Sequence, residues 1–359
     1  GLRIPEHTSE EHPDGRCSML TGYAAKTPVA RGISFDRVLA NQIANGKSIY
    51  TGHGPPGGDI DTSVSWHGAN TANTDFTGGS EALAKELFPG GTTGLPPGQG
   101  GGGEEEEAPT PAPAPTPGPM PAPDTRASEN ELALNAHLQA ELMRLRKVAP
   151  AAEFEKLDLH LQALEQLRND AMPGGSGVGG KPLPTIPLSC GAVDLSQATN
   201  ETDRVSLLLA HGFACGQASV AVHRITSEEP KHEYSHYAPG DGAQEQLRKV
   251  DVQESQTFVQ LVKYLSAFQE GSGTLLDNTI VVWSSEVSGW HGDDTHGTNG
   301  MPFILAGGTG RLKTGQRIVA EGRWNAELYR AIGQTFGLPN PNSFGDTAYG
   351  TGMLEDILV

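Results

Sequence analysis

The chain has 359 residues, 43 acidic against 25 basic side chains, and a formal net charge of −18. Such a balance argues against a general binder of nucleic acid or of anionic membrane, since both carry the same sign. No apolar run reaches the roughly 18 to 20 residues of a membrane span, and three cysteines cannot all pair within one chain, which excludes a disulfide scaffold.

The opening Gly1-Leu2-Arg3-Ile4-Pro5 has no initiator Met, no basic n-region and no apolar h-region, so the chain reads as processed or incomplete. Residues 1–90 are Gly-rich and form the first part of an α/β domain. Phe35, Val38, Leu39 and Ile43 recur at helical spacing, which predicts a helix from Phe35 to Asn45 with Ser34 as N-cap and Gly46 as stop. A short helix is expected from Ser80 to Phe88. Residues 91–127 change character: Glu104 to Glu107 precede a stretch with Pro at every second position from Pro109 to Pro123. That composition predicts a disordered, extended Gly/Pro-rich linker. Over 128–172, Ser128 with Glu131 forms a capping box. The leucine stripes Leu132 to Leu145 and Leu157 to Leu167, parted by Pro150, predict an inserted helical hairpin. A second Gly/Pro-rich linker covers 173–193.

From 194 to 359 helical and strand patterns alternate. The expected elements are a helix ending near Leu209, a strand from Ala218 to Ile225, and a long helix from Val252 to Glu270. A strand from Thr279 to Ser285, a strand from Phe303 to Ala306 and a helix from Asn325 to Phe336 follow. Alternation of this kind predicts a layered α/β fold with its chemistry at the carboxyl ends of the strands. The continuous apolar run Ile280-Val281-Val282-Trp283 predicts a central strand of a parallel sheet.

Histidines gather at those strand ends. His232 and His236 stand four apart after the Ala218 strand, Glu286 follows the Thr279 strand, and His291 and His296 flank Asp293 and Asp294 in the next loop. Imidazole and carboxylate together make a competent set for a divalent metal.

The segment His12-Pro13-Asp14-Gly15-Arg16-Cys17-Ser18-Met19-Leu20-Thr21-Gly22 resembles the sulfatase signature, in which a nucleophilic Cys or Ser precedes Pro-Ser-Arg and Leu-Thr-Gly. Aligned on Leu20-Thr21-Gly22, His12 takes the nucleophile position and Arg16 stays in register. The spacing His232-x-x-x-His236, the placement of Glu286, and His296-Gly297 followed by Met301 to Gly307 look like the metal motifs and closing strand of the alkaline phosphatase superfamily. On that resemblance, His232, His236, Glu286 and His296 are the expected metal ligands, with zinc or calcium as the ion. The whole chain resembles more narrowly the bacterial family catalogued as domain of unknown function 1552. That resemblance rests on Gly32-Ile33-Ser34-Phe35-Asp36, Ser63-Val64-Ser65-Trp66, His232 to His236, Gly271 to Asn278, Leu305 to Gly308 and Leu312 to Gly315.

The resemblance implies an alkaline phosphatase/sulfatase-like layered sheet with helices on both faces. It also implies export by the twin-arginine route to the periplasm, cell surface or exterior. In an oxidising compartment Cys190 and Cys215 are the expected pair, leaving Cys17; three buried free thiols are the alternative. Three departures bear on activity. The superfamily's first metal-binding Asp would lie before Gly1, the nucleophile position holds His12, and its Asp-His pair is here Glu286-Val287. Two expectations follow. The first is a non-catalytic envelope or extracellular protein with a degenerate site, serving binding to protein partners or self-assembly. The second is a metal-dependent hydrolase of phosphate or sulfate esters using the His/Glu site. Neither involves nucleic acid or a membrane span.

Overall fold

The computed structural model describes residues 1–5, 11–24, 30–43, 47–52, 63–89, 92–93, 190, 193–225, 231, 234, 242–271, 273–287 and 297–359. They belong to one compact unit built from Gly1–Gly100 and Thr185–Val359. The linker and helical hairpin expected between positions 94 and 189 lie outside the described residues.

In chain order the elements are α1 (Glu11–Met19), α2 (Phe35–Gln42), β1 (Ser48–Gly52), β2 (Trp66–Gly68), β3 (Thr71–Ala72), β4 (Phe76–Gly78), α3 (Gly79–Leu87) and β5 (Thr92–Thr93). There follow β6 (Val193–Asp194), α4 (Glu201–Ala214), β7 (Val220–Arg224), α5 (Ala243–Ala267), β8 (Gln269–Glu270) and β9 (Gly273–Thr274). The last are α6 (Leu275–Asn278), β10 (Ile280–Trp283), β11 (Ile304–Gly307) and α7 (Asn325–Thr335). The fold is thus mixed α/β, with a parallel sheet. Among the described residues no helix is long and apolar enough to cross a membrane.

The parallel sheet has the order β4-β1-β7, with Tyr50 opposite both Phe76 and Val222. Its centre, β1, lies in a segment for which the sequence patterning predicts no strand. The strand expected at its centre, Thr279 to Ser285, is instead β10, which pairs antiparallel with β11, Ile280 opposite Gly307 and Trp283 opposite Ile304. Apolar continuity reports burial on both faces but carries no information about which strand lies alongside.

Helix α4 runs to Ala214, five residues past the end expected near Leu209. Asn200 caps α4, its side chain accepting from Asp203 N at 2.9 Å. Tyr264 on α5 donates to Asp203 Oδ1 at 2.7 Å, which ties α5 to the first turn of α4. Helix α5 begins nine residues before the expected Val252, at Ala243 behind Gly242, whose φ of 85° a side chain would strain. The core between α2, α7 and the C-terminal segment is aromatic. The rings of Phe35 and Tyr329 stack at 5.0 Å, and Phe344 meets Phe35 edge-on at 5.2 Å. Arg330, fully buried on α7, donates to the carbonyls of Phe344, Gly350 and Gly352 and so holds the C-terminal segment down.

Two long-range features complete the frame. Leu2 bridges to Met301, Arg3 N donates to Arg323 O at 2.7 Å, Ile4 N to Thr298 O at 2.9 Å, and Asn325 N to Arg3 O at 2.8 Å. Asn325 Nδ2 also donates to the Ser18 and Met19 carbonyls at the end of α1. Strands β5 and β6 pair in parallel, Thr92 opposite Val193, so the chain leaves this unit and returns to it at one place. Beside that point Cys190 is bonded to Cys215, with a Cα–Cα separation of 5.5 Å, and Cys17 is buried outside the disulfide. The expected pairing holds, and the alternative of three free thiols does not.

Candidate functional site

Of the five expected site residues, His232, His236 and His296 lie outside the described residues. His12 is the second residue of α1, one helical turn before Arg16. Glu286 follows β10, and its Oε2 accepts from Arg16 Nε at 3.0 Å, with about a quarter of each side chain exposed. The close approach is a backbone matter. A Cβ at Gly15 would collide with the Glu286 carbonyl oxygen, so only glycine lets α1 lie directly on the end of β10. The structure therefore brings the helix carrying His12 and Arg16 against the segment carrying Glu286, 270 positions away from Arg16. Lys231, directly before His232, is paired with Asp251 at 2.9 Å and with Glu254, both on α5. Among the described residues no three His, Cys, Asp or Glu side chains are grouped as a metal site.

A second polar constellation was not expected as a site. Two segments that the sequence offers only as motifs, Ser34-Phe35-Asp36 and Ser63-Val64-Ser65-Trp66, interlock. Trp66 N donates to Ser34 Oγ at 2.7 Å and Ser34 Oγ to Trp66 O at 3.1 Å. Ser34 thus sits at the N-cap position of α2 without capping it, its hydroxyl being engaged across the gap. Ser65 Oγ donates to Asp36 Oδ2 at 2.6 Å and receives Asn73 Nδ2 at 3.0 Å, which forms a buried chain Asn73–Ser65–Asp36. Burial pushes the Asp36 carboxyl above its ordinary value, against the opposing effect of the neighbouring Ser34 and Ser65 hydroxyls and the Arg37 charge. Burial likewise raises the Tyr329 hydroxyl, and the nearby Asp36 charge adds to the effect. The signal in the sequence is a run of small polar residues inside apolar surroundings, which by itself does not distinguish a site from a loop.

Asp36 and Tyr329 border a cavity of about 510 Å³. Its remaining walls come chiefly from α2, α4, α5, α7, β7 and β10 and are mostly apolar, with His223, Thr257 and Glu270 among them. Asp36 Oδ1 is buried there with no hydrogen-bond partner. Chemically the described parts offer a guanidinium–carboxylate pair at a strand end and an apolar cavity with one buried carboxyl.

No protein-family model, no curated protein and no solved structure matches the chain.

Proposed function

We propose that this chain is a non-catalytic binding protein of the cell envelope or exterior, built on a sulfatase-like layered α/β frame whose ester-cleaving site has degenerated. The observation that carries this reading is the Arg16–Glu286 pair. A carboxylate that serves a divalent cation needs its negative charge for that cation. Here a guanidinium of the same chain already neutralises it, and a second cation would meet the charge of the first. The His at the nucleophile position points the same way, since in-line displacement at phosphorus or sulfur is expected to use a Ser, Thr or Cys-derived nucleophile between metal ions. The Cys190–Cys215 bond supports export, because disulfides persist in oxidising compartments.

One observation favours the second reading, a hydrolase of phosphate or sulfate esters that holds zinc or calcium through His232, His236, Glu286 and His296. The contact of Gly15 with Glu286 draws two of the five implicated segments together. Metal analysis of the purified protein after dialysis, with turnover assays on aryl phosphate and aryl sulfate esters, separates the two. The binding reading expects no stoichiometric metal and no turnover above that of a His12→Ala control. One retained ion per chain, lost in the His232→Ala/His236→Ala variant together with ester turnover, would replace it with the hydrolase.

A further inference from the structure

A second cavity, of about 290 Å³, lies where β11 meets the segment from Leu312 to Ile318. Its floor is core: Met301, Leu312, Leu328, Leu354 and Ile357 line it and are themselves buried. The rim carries apolar surface outward. Ile304 lines the cavity and is 43% exposed, and Val319, between the lining residues Ile318 and Ala320, is 68% exposed. Apolar side chains gathered round an opening in the core make a contact surface.

Charge singles out the same place. In a chain of net charge −18, positions 295–320 hold no Asp or Glu, while Arg311, Lys313 and Arg317 fall close together. The Arg311 guanidinium lies over the Phe336 ring, 5.7 Å from its centre. Lys313 and Arg317 line the cavity, are exposed, and have no ion-pair partner among the described residues. The acidic residues of the flanking segments, Glu321, Glu355 and Asp356, bridge to neither. Two uncompensated cations beside an apolar hollow call for a ligand with an apolar tail and one anionic end.

We infer that this cavity binds a single-chain aliphatic carboxylate, its tail against Leu312, Leu328 and Ile357 and its head between Lys313 and Arg317. The Arg317 fork can take both carboxylate oxygens, and Lys313 adds a mobile point charge. A mostly apolar concavity with a few convergent polar groups is the usual form of a small-molecule site, and this one stands at the low end of the roughly 300–1,000 Å³ such sites occupy. That size admits one chain rather than the two of a membrane lipid. The inference goes beyond the binding reading and is independent of the ester site, since neither Arg16 nor Glu286 lines this cavity. Carboxylate binding and ester turnover are measured separately, so the failure of either is distinguishable.

The test is calorimetric titration of the full chain with octanoate. The expected result is saturable one-to-one binding that weakens as salt is raised. Hexanoate, shorter by two methylenes, should bind roughly tenfold more weakly if the tail is buried. Neutral octan-1-ol should also bind roughly tenfold more weakly than octanoate, and Lys313→Ala/Arg317→Ala should weaken octanoate by about the same factor, since each exposed charge pair contributes modestly. Octanoate should slow amide exchange over Phe303–Leu305 and Lys313–Ile318. If the double variant fails to fold, the octan-1-ol comparison and the exchange measurement on the parent decide. Absence of saturable octanoate binding would overturn the inference outright. Equal binding of octan-1-ol, or undiminished octanoate binding by a folded double variant, would show that the two cations hold no carboxylate and would overturn it as well. Binding to phosphatidylglycerol vesicles without binding of octanoate would replace it with a membrane contact.

Discussion

Ser65 donates to Asp36 across 29 positions of sequence, and the carboxyl it reaches is buried from solvent with its second oxygen unbonded. The bond joins α2 to the turn before β2 and leaves a titratable group inside an apolar wall. The unfolded Asp36 ionises near its ordinary value of about 3.9, whereas the folded one, raised by burial, ionises at higher pH. Between the two values the folded state binds more protons, so this group's contribution is full in acid and is lost as pH rises through the folded value. Asp36→Asn keeps a carbonyl acceptor for Ser65 and removes the titration. The variant should be more stable than the parent at neutral pH, by a margin that closes toward pH ~3. Urea denaturation across a pH series measures it, and a margin that widens in acid would show that burial of the carboxyl is not the governing effect.

Gly15 tests the docking of α1. In an exposed helix interior, alanine for glycine stabilises by about 1 kcal/mol. At this position the added methyl meets the Glu286 carbonyl, so Gly15→Ala should instead destabilise by about 1 to 3 kcal/mol, the range for overpacking. Thermal melts of the two proteins give the sign directly, and a stabilised variant would mean that α1 does not rest on the end of β10.

The disulfide closes a loop of 25 positions. Cross-linking a loop of that size is worth about 3 kcal/mol, so Cys190→Ser/Cys215→Ser should lose about that much in chemical denaturation. Thiol titration of the denatured, unreduced chain should find one reactive group, Cys17; a count of three would contradict the bond.

Pairing of β5 with β6 brings the two ends of the inserted stretch together. Loop-closure entropy depends only logarithmically on length. Deletion of positions 98–124 should therefore shift the melting temperature by less than about 5 °C, the shift that roughly 1 kcal/mol produces in a domain. A larger loss would show that the acidic and proline-rich stretch supports the folded unit.

What the sequence made legible was local. Helices α2, α3 and α7 lie where apolar spacing indicates, α4 runs five residues past the end expected near Leu209, and β7, β10 and β11 fall within a residue or two of their apolar runs. Partnership between strands was not legible. Ser48-Ile49-Tyr50-Thr51-Gly52 holds too few apolar residues to announce the centre of a sheet, yet Ile49 and Tyr50 are buried once β4 and β7 flank them. The start of α5 was missed for a related reason. Residues 243–251 are mostly polar and exposed, so their helix follows from Gly242 and from continuity with the buried turn at Val250, not from a stripe. At the candidate site, the sequence places Glu286 just after β10, but its pairing with Arg16 is a tertiary fact. The Asn73–Ser65–Asp36 chain consists of residue types common in any loop, and only the backbone pairing of Ser34 with Trp66 makes it a unit.

The clamp formed by Leu2, Arg3 and Ile4 on Thr298, Met301, Arg323 and Asn325 has a consequence for biosynthesis. A ribosome adds about 5 to 20 residues per second, so the partners of Leu2, Arg3 and Ile4 emerge roughly 15 to 60 seconds after them. The end of α1, whose carbonyls at Ser18 and Met19 are met by Asn325, waits equally long. The parallel sheet can assemble once β7 has been made, whereas Leu2 to Ile4 can find their place only after α7 begins. Leu2, Arg3 and Ile4 are therefore fixed later than the parallel sheet. A nascent chain stalled before position 325 should expose residues 2–4 to protease while β1, β4 and β7 are already protected.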